Sequence, residues 1–391
     1  MKATQKDRGQ LMKRELPFSM AEYRGRLDKV RASMEERGLD VLVLLSPVSL
    51  NYLTGCLNKS GQYLVVPLKG DPTILTWDYE LPWALFSSWL TEGEGYDTGE
   101  SQVEALRKLL ERHRLMGGCI GIEADSHHVS AQHVDSLRNA LQRAKTADGS
   151  GIIKKLLRIK SPREIECMKI AGKFTAAAMK AAIDSVRAGV RDSEVAAAAH
   201  QAAIADGGGA MSGQPVVTTG FRSGFPHSHH LNCLINLGEP VCIELSGVYE
   251  RYSCPLMRTV FVGQQPDGLV KMGDACMAAL DTVLTTFKPG ANSEDIADKV
   301  SKKLPLDDPE MVFHDTYGYS LGLGFPPGWS DDEWLRIIKG RSFTLEPGMV
   351  FHSTMSLRRN GKYGFFISAV IAITQEGCEI LNDFPRQVFY K

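Results

Sequence analysis

The chain has 391 residues, of which 43% are hydrophobic and 23% charged, and its formal net charge is -1. This composition is typical of a soluble globular protein with two domains, and it argues against a nucleic-acid-binding or membrane-surface protein. The first ten residues are polar and basic, without the apolar run of a secretory signal, so a cytoplasmic location is the expectation.

The first half of the chain alternates helical and strand patterns. Residues 20–38 carry apolar side chains at helical spacing and end at a glycine, and residues 103–114 show a second helical pattern. Short apolar runs between turn residues predict buried strands at residues 41–45, 63–66, 73–75 and 119–122. We therefore predict an N-terminal α/β domain over residues 1–157.

A helix start marks the boundary between the halves. Ser161 can cap a helix, Pro162 suits its first position, and Glu164 completes a capping box. Further helical patterns cover residues 192–205 and 267–287. Strands are predicted at residues 216–219, 241–246, 257–262, 349–355 and 366–374. Helices and antiparallel strands mixed in this way indicate an α+β fold for residues 158–391.

Three segments carry a resemblance to a known superfamily. Residues 241–259 and residues 345–354, which begin Leu-Glu-Pro-Gly-Met, resemble the signature strands of the creatinase and methionine-aminopeptidase superfamily. Residues 160–166 resemble the opening of its "pita-bread" catalytic domain. The resemblance covers nearly the whole chain. It implies the two-domain creatinase/prolidase architecture and a homodimer in which the N-terminal domain of one subunit closes the pocket of the other.

The resemblance also assigns the positions of a metal site. Metallopeptidases of the superfamily hold two divalent metals with two Asp, one His and two Glu side chains, and a bridging water attacks the peptide carbonyl. The matching residues here are Glu244, Pro255, Tyr319, Thr354 and Ser368. Proline, threonine and serine cannot replace hard anionic ligands, so we expect no metal and no other cofactor.

Within the superfamily, the chain is most similar to the metal-free ectoine hydrolases. The similarity lies in residues 249–263, 318–329, 348–352 and 385–390. It implies a metal-independent hydrolase that cleaves a C–N bond in a small zwitterionic cyclic amidine. Ectoine hydrolases have acidic residues in the last core strand, whereas residues 366–370 here read Phe-Ile-Ser-Ala-Val. The identity of the substrate therefore stays open.

Two residues are the candidates for catalysis. His227 matches the catalytic imidazole of the superfamily, and a histidine can exchange a proton near neutral pH, although it could also be a loop histidine with local hydrogen bonds. Glu244 lies in an apolar strand, where an ionised carboxylate is costly to bury without a partner. It could hold a cationic amidinium, act as a base, attack as a nucleophile, or form a buried salt bridge with Arg258.

Six residues are predicted to contact the substrate: Tyr317, Tyr319, Phe325, Trp329, His352 and Arg258. The aromatic residues flank a Gly/Pro-rich loop, and their rings suit a delocalised cation, although the loop could also be purely structural. Strand alternation puts His352 on the face of Thr354, as a pocket imidazole or as a core histidine. The guanidinium of Arg258 could bind a substrate carboxylate in a bidentate manner.

Two other functions stay open at this point. An Xaa-Pro aminopeptidase-like metallopeptidase would need stoichiometric divalent metal. A catalytically inactive member of the fold could use the same pocket to bind a small molecule, because a fold does not by itself imply an activity.

Overall fold

A computed structural model describes residues 13–58, 61–329 and 335–391. The chain divides into two compact units, Met1–Leu157 and Arg158–Lys391. In the described ranges, every helix is too short or too polar to span a bilayer. Each unit has its own sheets and its own hydrophobic core.

The N-terminal unit is built on one mixed sheet of six strands, in the order β4-β3-β2-β1-β5-β6. Its elements are α1 Met20–Glu36, β1 Val41–Leu44, α2 Pro47–Thr54, β2 Gln62–Pro67, β3 Thr73–Trp77, α3 Leu81–Ser87, β4 Gly93–Tyr96, α4 Gln102–Arg112, β5 Cys119–Ile122, α5 Ala131–Ala140, β6 Lys145–Asp148 and α6 Ile152–Leu157. The predicted helices and apolar strands all lie in these elements. Sequence patterns missed β4 and β6, whose residues are glycine-rich or polar.

The C-terminal unit mixes helices with two larger sheets and one small hairpin. Its elements are α7 Pro162–Ser185, α8 Asp192–Ala205, β7 Val216–Thr219, a 3-10 helix Gly220–Gly224, β8 Pro240–Leu245, β9 Val248–Tyr249, β10 Tyr252–Ser253, β11 Leu256–Phe261, α9 Asp267–Thr286, α10 Ser293–Ser301, β12 Gly318–Ser320, β13 Arg336–Ile337, β14 Val350–Arg359, β15 Tyr363–Ile373, β16 Cys378–Ile380 and β17 Phe389–Tyr390. As predicted, a capping box between Ser161 and Glu164 begins α7.

Each of the two larger sheets buries one face in a hydrophobic core, and the site lies on the other faces. One sheet has the order β17-β11-β8-β7 and the other β13-β12-β14-β15-β16. In the first, Val241, Ile243 and Leu245 join the core formed with α7 and α8. In the second, Phe351, Met355 and Leu357 join the core formed with α9 and α10. Because side chains alternate along a strand, the intervening residues occupy the opposite faces, which we call the inner faces.

Polar bonds join the two inner faces along β11 and β15. Thr259 Oγ1 donates to the carbonyl oxygen of Phe366 at 2.9 Å and accepts from its backbone N–H at 2.8 Å. The backbone N–H of Met257 donates to Ser368 Oγ at 2.8 Å. Strand β14 runs four residues beyond its predicted end, so that Arg358 belongs to the strand. The inner face of β14 therefore includes Arg358, a polar residue that the predicted strand did not contain.

Candidate active site

Glu244 is a buried carboxylate in the middle of an inner face. In the strand register it lies between Val216 on β7 and Met257 on β11, and only 5% of its surface is exposed. No described residue donates a hydrogen bond to its carboxylate. Burial raises the pKa of Glu244 to about 7, and the positive charge of Arg358 opposes part of this shift. The carboxyl group can therefore change its protonation state near neutral pH.

His352 is the centre of a hydrogen-bonded network. Its Nδ1 lies 2.7 Å from the Tyr319 hydroxyl and its Nε2 lies 2.8 Å from Ser368 Oγ. Trp329 Nε1 donates to the Tyr319 hydroxyl at 3.0 Å. His352 is fully buried, which lowers its pKa to about 3 and keeps the imidazole neutral. We call Tyr319, Trp329, His352 and Ser368 the imidazole network.

The residues that the resemblance assigns to the metal positions do not fit a pair of metal ions. Tyr319 and Ser368 both bond to His352, Pro255 has no donor atom in its side chain, and Thr354 is neutral. Glu244 is the one carboxylate among the five positions. In the described part of the chain, no three His, Cys, Asp or Glu side chains are grouped so that they could hold a metal ion. Hard divalent cations need more anionic oxygen than these positions supply.

Arg358 is a site residue that sequence reasoning missed. It follows His352, Thr354 and Ser356 on the same face of β14, and only 5% of its surface is exposed. Its guanidinium lies 4.6 Å from the ring centroid of Phe366. Burial lowers the pKa of Arg358, whereas the negative charge of Glu244 opposes that shift. Alternation along β14 could have indicated this position if the strand had been extended by four residues.

Two histidines lie near Arg358 on the solvent side of the site. The side chains of His227 and His314 are exposed, and the surrounding protein together with the guanidinium of Arg358 lowers the pKa of each. His314 Nε2 lies 3.4 Å from Thr354 Oγ1. Both imidazoles are therefore neutral at neutral pH and can accept a proton. His314 was also missed, although it closely precedes the Tyr319 segment that carried the resemblance.

Arg258 does not fit the substrate-binding role assigned to it. It lies on the face of β11 opposite Met257 and Glu244, with 1% of its surface exposed. Its guanidinium donates to four carbonyl oxygens, those of Met257, Ser368, Phe384 and Pro385, at 2.7 to 3.1 Å. Arg258 therefore ties the C-terminal segment to the sheet. It forms no salt bridge with Glu244.

Three other predicted contacts need revision. Tyr317 is fully buried in the core formed with α9 and α10. Phe325 is also buried, and its ring packs on the guanidinium of Arg251 at 4.7 Å. His352 shares a face with Thr354, as alternation predicted, but protein hydroxyls occupy both of its nitrogens. Of the predicted aromatic contacts, the structure brings Tyr319 and Trp329 together at the site.

The chain is similar to known proteins over nearly its whole length. Residues 166–375 match the model of metallopeptidase family M24, and residues 26–158 match the creatinase/prolidase N-terminal domain. The chain is 30% identical to the ectoine hydrolase of Halomonas elongata over 96% of this chain and 99% of that protein. It is 25% identical to the Xaa-Pro dipeptidase of Pyrococcus furiosus over 93% of this chain and 99% of that protein. A prolidase structure from Thermococcus sibiricus superposes with a TM-score of 0.84 at 19% identity, covering 96% of this chain and 100% of that one. The predicted fold and superfamily are confirmed.

Proposed function

Since the chain belongs to metallopeptidase family M24 and carries a creatinase/prolidase N-terminal domain, we propose that it is a metal-independent hydrolase of a C–N bond in a small zwitterionic cyclic amidine. Ectoine is the first substrate to test, because one relative over nearly the full length is an ectoine hydrolase. The observation that carries the proposal is Glu244, a buried carboxylate without a hydrogen-bond donor among the described residues, at a position where metallopeptidases place a metal ligand.

Glu244 has the chemistry that an amidinium substrate needs. The cation carries a delocalised positive charge, and its approach would favour the ionised form of the carboxyl group. An ionised Glu244 can hold the cation, accept a proton, or attack the amidine carbon. Its pKa of about 7 supports these roles because little free energy is needed to ionise the group at neutral pH.

His227 supplies the proton transfer in this proposal. Its neutral imidazole takes a proton from water as the water oxygen bonds to the amidine carbon. The imidazolium then returns that proton to the leaving nitrogen while the C–N bond breaks. The hydroxyl proton of the adduct also passes to the released amine as the carbonyl forms. The amidinium ring thus opens to an amide and an ammonium group, and His227 ends in its starting form. His314 lies in the same electrostatic surroundings and is the alternative proton carrier.

Tyr319 and Trp329 form the aromatic part of the proposed site. The Trp329 indole N–H donates to the Tyr319 hydroxyl at 3.0 Å, which fixes the two side chains relative to each other. Burial raises the pKa of Tyr319, so its hydroxyl stays neutral and can both donate and accept a hydrogen bond. Aromatic faces attract a delocalised cation, which supports binding of an amidinium ring.

The deciding experiment is turnover by protein freed of metal. Purified protein is treated with a chelator, its metal content is measured by elemental analysis, and ring opening of ectoine is followed by proton NMR. We expect turnover with less than about 0.1 metal ion per chain, since a metal-dependent enzyme needs at least one ion in each site. Activity that returns only with added divalent metal would reject metal independence.

Two results would favour the alternatives. Release of amino acids from Xaa-Pro dipeptides with stoichiometric metal would favour the peptidase, and the 25% identity to a Xaa-Pro dipeptidase makes this test necessary. Saturable binding of ectoine in calorimetry without any product would favour an inactive binding protein. Mass spectrometry of acid-quenched reactions would separate the roles of Glu244, because attack by the carboxylate leaves an adduct on that residue.

We also propose that the protein acts as a homodimer. The segment around His227 exposes large apolar side chains, namely Phe221, Phe225, Leu231, Leu234 and Leu237. Exposed apolar side chains concentrated in one segment favour association with another protein surface. Light scattering should give about twice the mass of one chain, and Leu237→Lys should lower that mass while leaving the monomer folded.

A further inference from the structure

We propose that Arg358 binds the carboxylate of the substrate and thereby selects molecules that carry an anionic group beside a cationic one. The inference deepens the proposed function and rests on it. It transfers the carboxylate-binding role predicted for Arg258 to Arg358, whose side chain lies on an inner face. Arg358 would then determine specificity, while the bond-breaking step stays with the groups described above.

The first observation is that the guanidinium of Arg358 is buried without a hydrogen-bond acceptor among the described residues. Its Nε is fully buried and unpartnered. The Phe366 ring lies against the guanidinium, 4.6 Å from its centroid to the guanidinium carbon, and accepts no conventional hydrogen bond. Burial of an unpaired charge costs free energy, so such groups usually have a partner. A bound anion would provide that partner.

The other buried arginines of the C-terminal unit show how unusual this is. Arg222 pairs with Asp192 and also donates to a carbonyl oxygen. Arg251 donates to the carbonyl oxygens of residues 210 and 324 and to Ser212 Oγ at 2.7 to 3.1 Å. Arg258 donates to four carbonyl oxygens. In these three residues the guanidinium is used by the fold, whereas that of Arg358 is left for another molecule.

The second observation is the set of groups around Arg358. Gly364 lies opposite it in the strand register, where a methyl group would clash with the Ser223 carbonyl oxygen and also come within 3.3 Å of Arg358 Cγ. On the same face of β14 as Arg358, Ser356 Oγ is buried without a partner. Thr218 Oγ1 on β7, opposite Cys242 of β8, is also buried without a partner. An unpaired hydroxyl on the same strand face as an unpaired guanidinium suits carboxylate oxygens, which accept several hydrogen bonds.

The third observation is the charge of the site. Glu244 is close enough to Arg358 for each charge to shift the pKa of the other, yet the two form no salt bridge. A zwitterion could place its cation against Glu244 and its carboxylate against Arg358, so that both buried charges are compensated at once. A substrate with only a cation would leave Arg358 unpaired. The arrangement therefore favours a zwitterion over a simple cationic amidine.

The test compares ectoine with the same ring lacking its carboxylate, 2-methyl-1,4,5,6-tetrahydropyrimidine. The variant is Arg358→Met, which removes the guanidinium and keeps an unbranched side chain. We expect kcat/KM for ectoine to fall by about 10- to 100-fold, since hydrogen bonds to charged groups contribute on this scale. Binding of the ring without the carboxylate, measured by calorimetry, should not change. Equal losses for both molecules, or no loss for ectoine, would overturn the inference.

The matched control is the neighbouring arginine on the other face of β14. Arg359 forms ion pairs with Asp308 and Glu310 near the surface, so Arg359→Met should leave kcat/KM for ectoine unchanged. The midpoint of thermal unfolding gives a second readout. Arg358→Met removes an uncompensated buried charge and should unfold at or above the wild-type temperature. A large fall in that midpoint would mean that the fold uses Arg358, which contradicts the inference.

A separate probe keeps this inference distinct from the proposed function. Acetate is titrated into the wild-type protein and into Arg358→Met, and saturation transfer to its methyl group is recorded by NMR. If ectoine is neither bound nor hydrolysed but acetate binds only when Arg358 is present, the function is wrong and the anion site stands. If ectoine is hydrolysed with the same KM by both proteins, the function stands and the anion site is wrong.

Discussion

The inner faces hold two groups of buried polar residues with opposite properties. In the imidazole network, every nitrogen and hydroxyl of Tyr319, His352 and Ser368 has a protein partner at 2.7 to 3.0 Å. On the inner faces of β8 and β14, Glu244 and Arg358 are buried with no hydrogen-bond partner for their charged groups in the described ranges. Paired groups stabilise a fold, whereas unpaired ones cost stability and remain available to a ligand.

The difference separates two uses of buried polar groups on the inner faces. His352 joins β12 to β15 through side-chain hydrogen bonds to Tyr319 and Ser368. The network thus fixes the strand geometry with neutral groups. The charges that remain, Glu244 and Arg358, are free to act on a substrate. Substitutions in the first group should therefore lower stability, whereas substitutions in the second should lower activity and leave stability unchanged or higher.

The largest expected effect is on activity, in Glu244→Gln. The amide keeps the shape of the side chain but cannot ionise, so we expect kcat to fall by about 10³-fold, as when an essential acid or base is removed. Ring opening of ectoine measured by NMR provides the rate. The control is Glu239→Gln, because the Glu239 carboxylate accepts hydrogen bonds from Thr219 and Asn236 at 3.0 Å. That variant should lose stability and keep its rate, and the reverse pattern would contradict the comparison.

The next effect is the pH dependence of stability. Glu244 has a pKa of about 7 in the folded state and about 4.5 as the ordinary value. Between these values the unfolded chain loses the Glu244 proton while the folded protein keeps it, so rising pH favours unfolding through this group. Glu244→Gln lacks this contribution. The free energy of unfolding of the variant minus that of the wild type should therefore rise by about 3 kcal/mol from pH 4.5 to pH 7.5. Urea denaturation at each pH measures both values. If the difference between variant and wild type is constant across this pH range, burial does not destabilise the ionised form of Glu244.

Most of the fold could be predicted from the sequence because its signals are local. The cap formed by Ser161 and Glu164 begins α7 as predicted, and short apolar runs correspond to the central strands of both units. The missed strands β4 and β6 have few apolar residues of their own and owe their place to neighbouring strands. Tertiary pairing of that kind leaves little trace in a local pattern.

The site was predicted in part, and the reason is again physical. Glu244 could be recognised from the sequence because a carboxylate in an otherwise apolar strand is costly to bury. Arg358 was missed because β14 ends in a run of polar residues that resembles a turn. His352 and Arg258 were recognised as unusual, but whether a buried polar group has a partner depends on residues distant in sequence, such as Ser368 and Pro385. Sequence locates such groups more easily than it separates paired from unpaired ones.

A moderate effect on stability is expected for His352→Ala. The substitution leaves a cavity in a fully buried site and removes the hydrogen bonds to Tyr319 and Ser368. We expect a loss of about 3 kcal/mol in the free energy of unfolding, measured by urea denaturation. His314→Ala is the control, because that imidazole is exposed, and its stability should stay within about 0.5 kcal/mol of wild type. Comparable stability of the two variants would show that the network does not support the fold.

The smallest effect is that of Tyr319→Phe, and it tests whether the network acts as a unit. The ring stays, but His352 Nδ1 and Trp329 Nε1 both lose the hydroxyl at 2.7 and 3.0 Å. Because Trp329 is partly exposed, water can replace its partner, whereas the buried His352 nitrogen is left unpaired. We expect a loss of about 1 kcal/mol in the wild type and less than half of that in His352→Ala, where the nitrogen is already absent. Equal losses in both backgrounds would mean that Tyr319 and His352 stabilise the protein independently, and the contrast between a paired network and two unpaired charges would then rest on Glu244 and Arg358 alone.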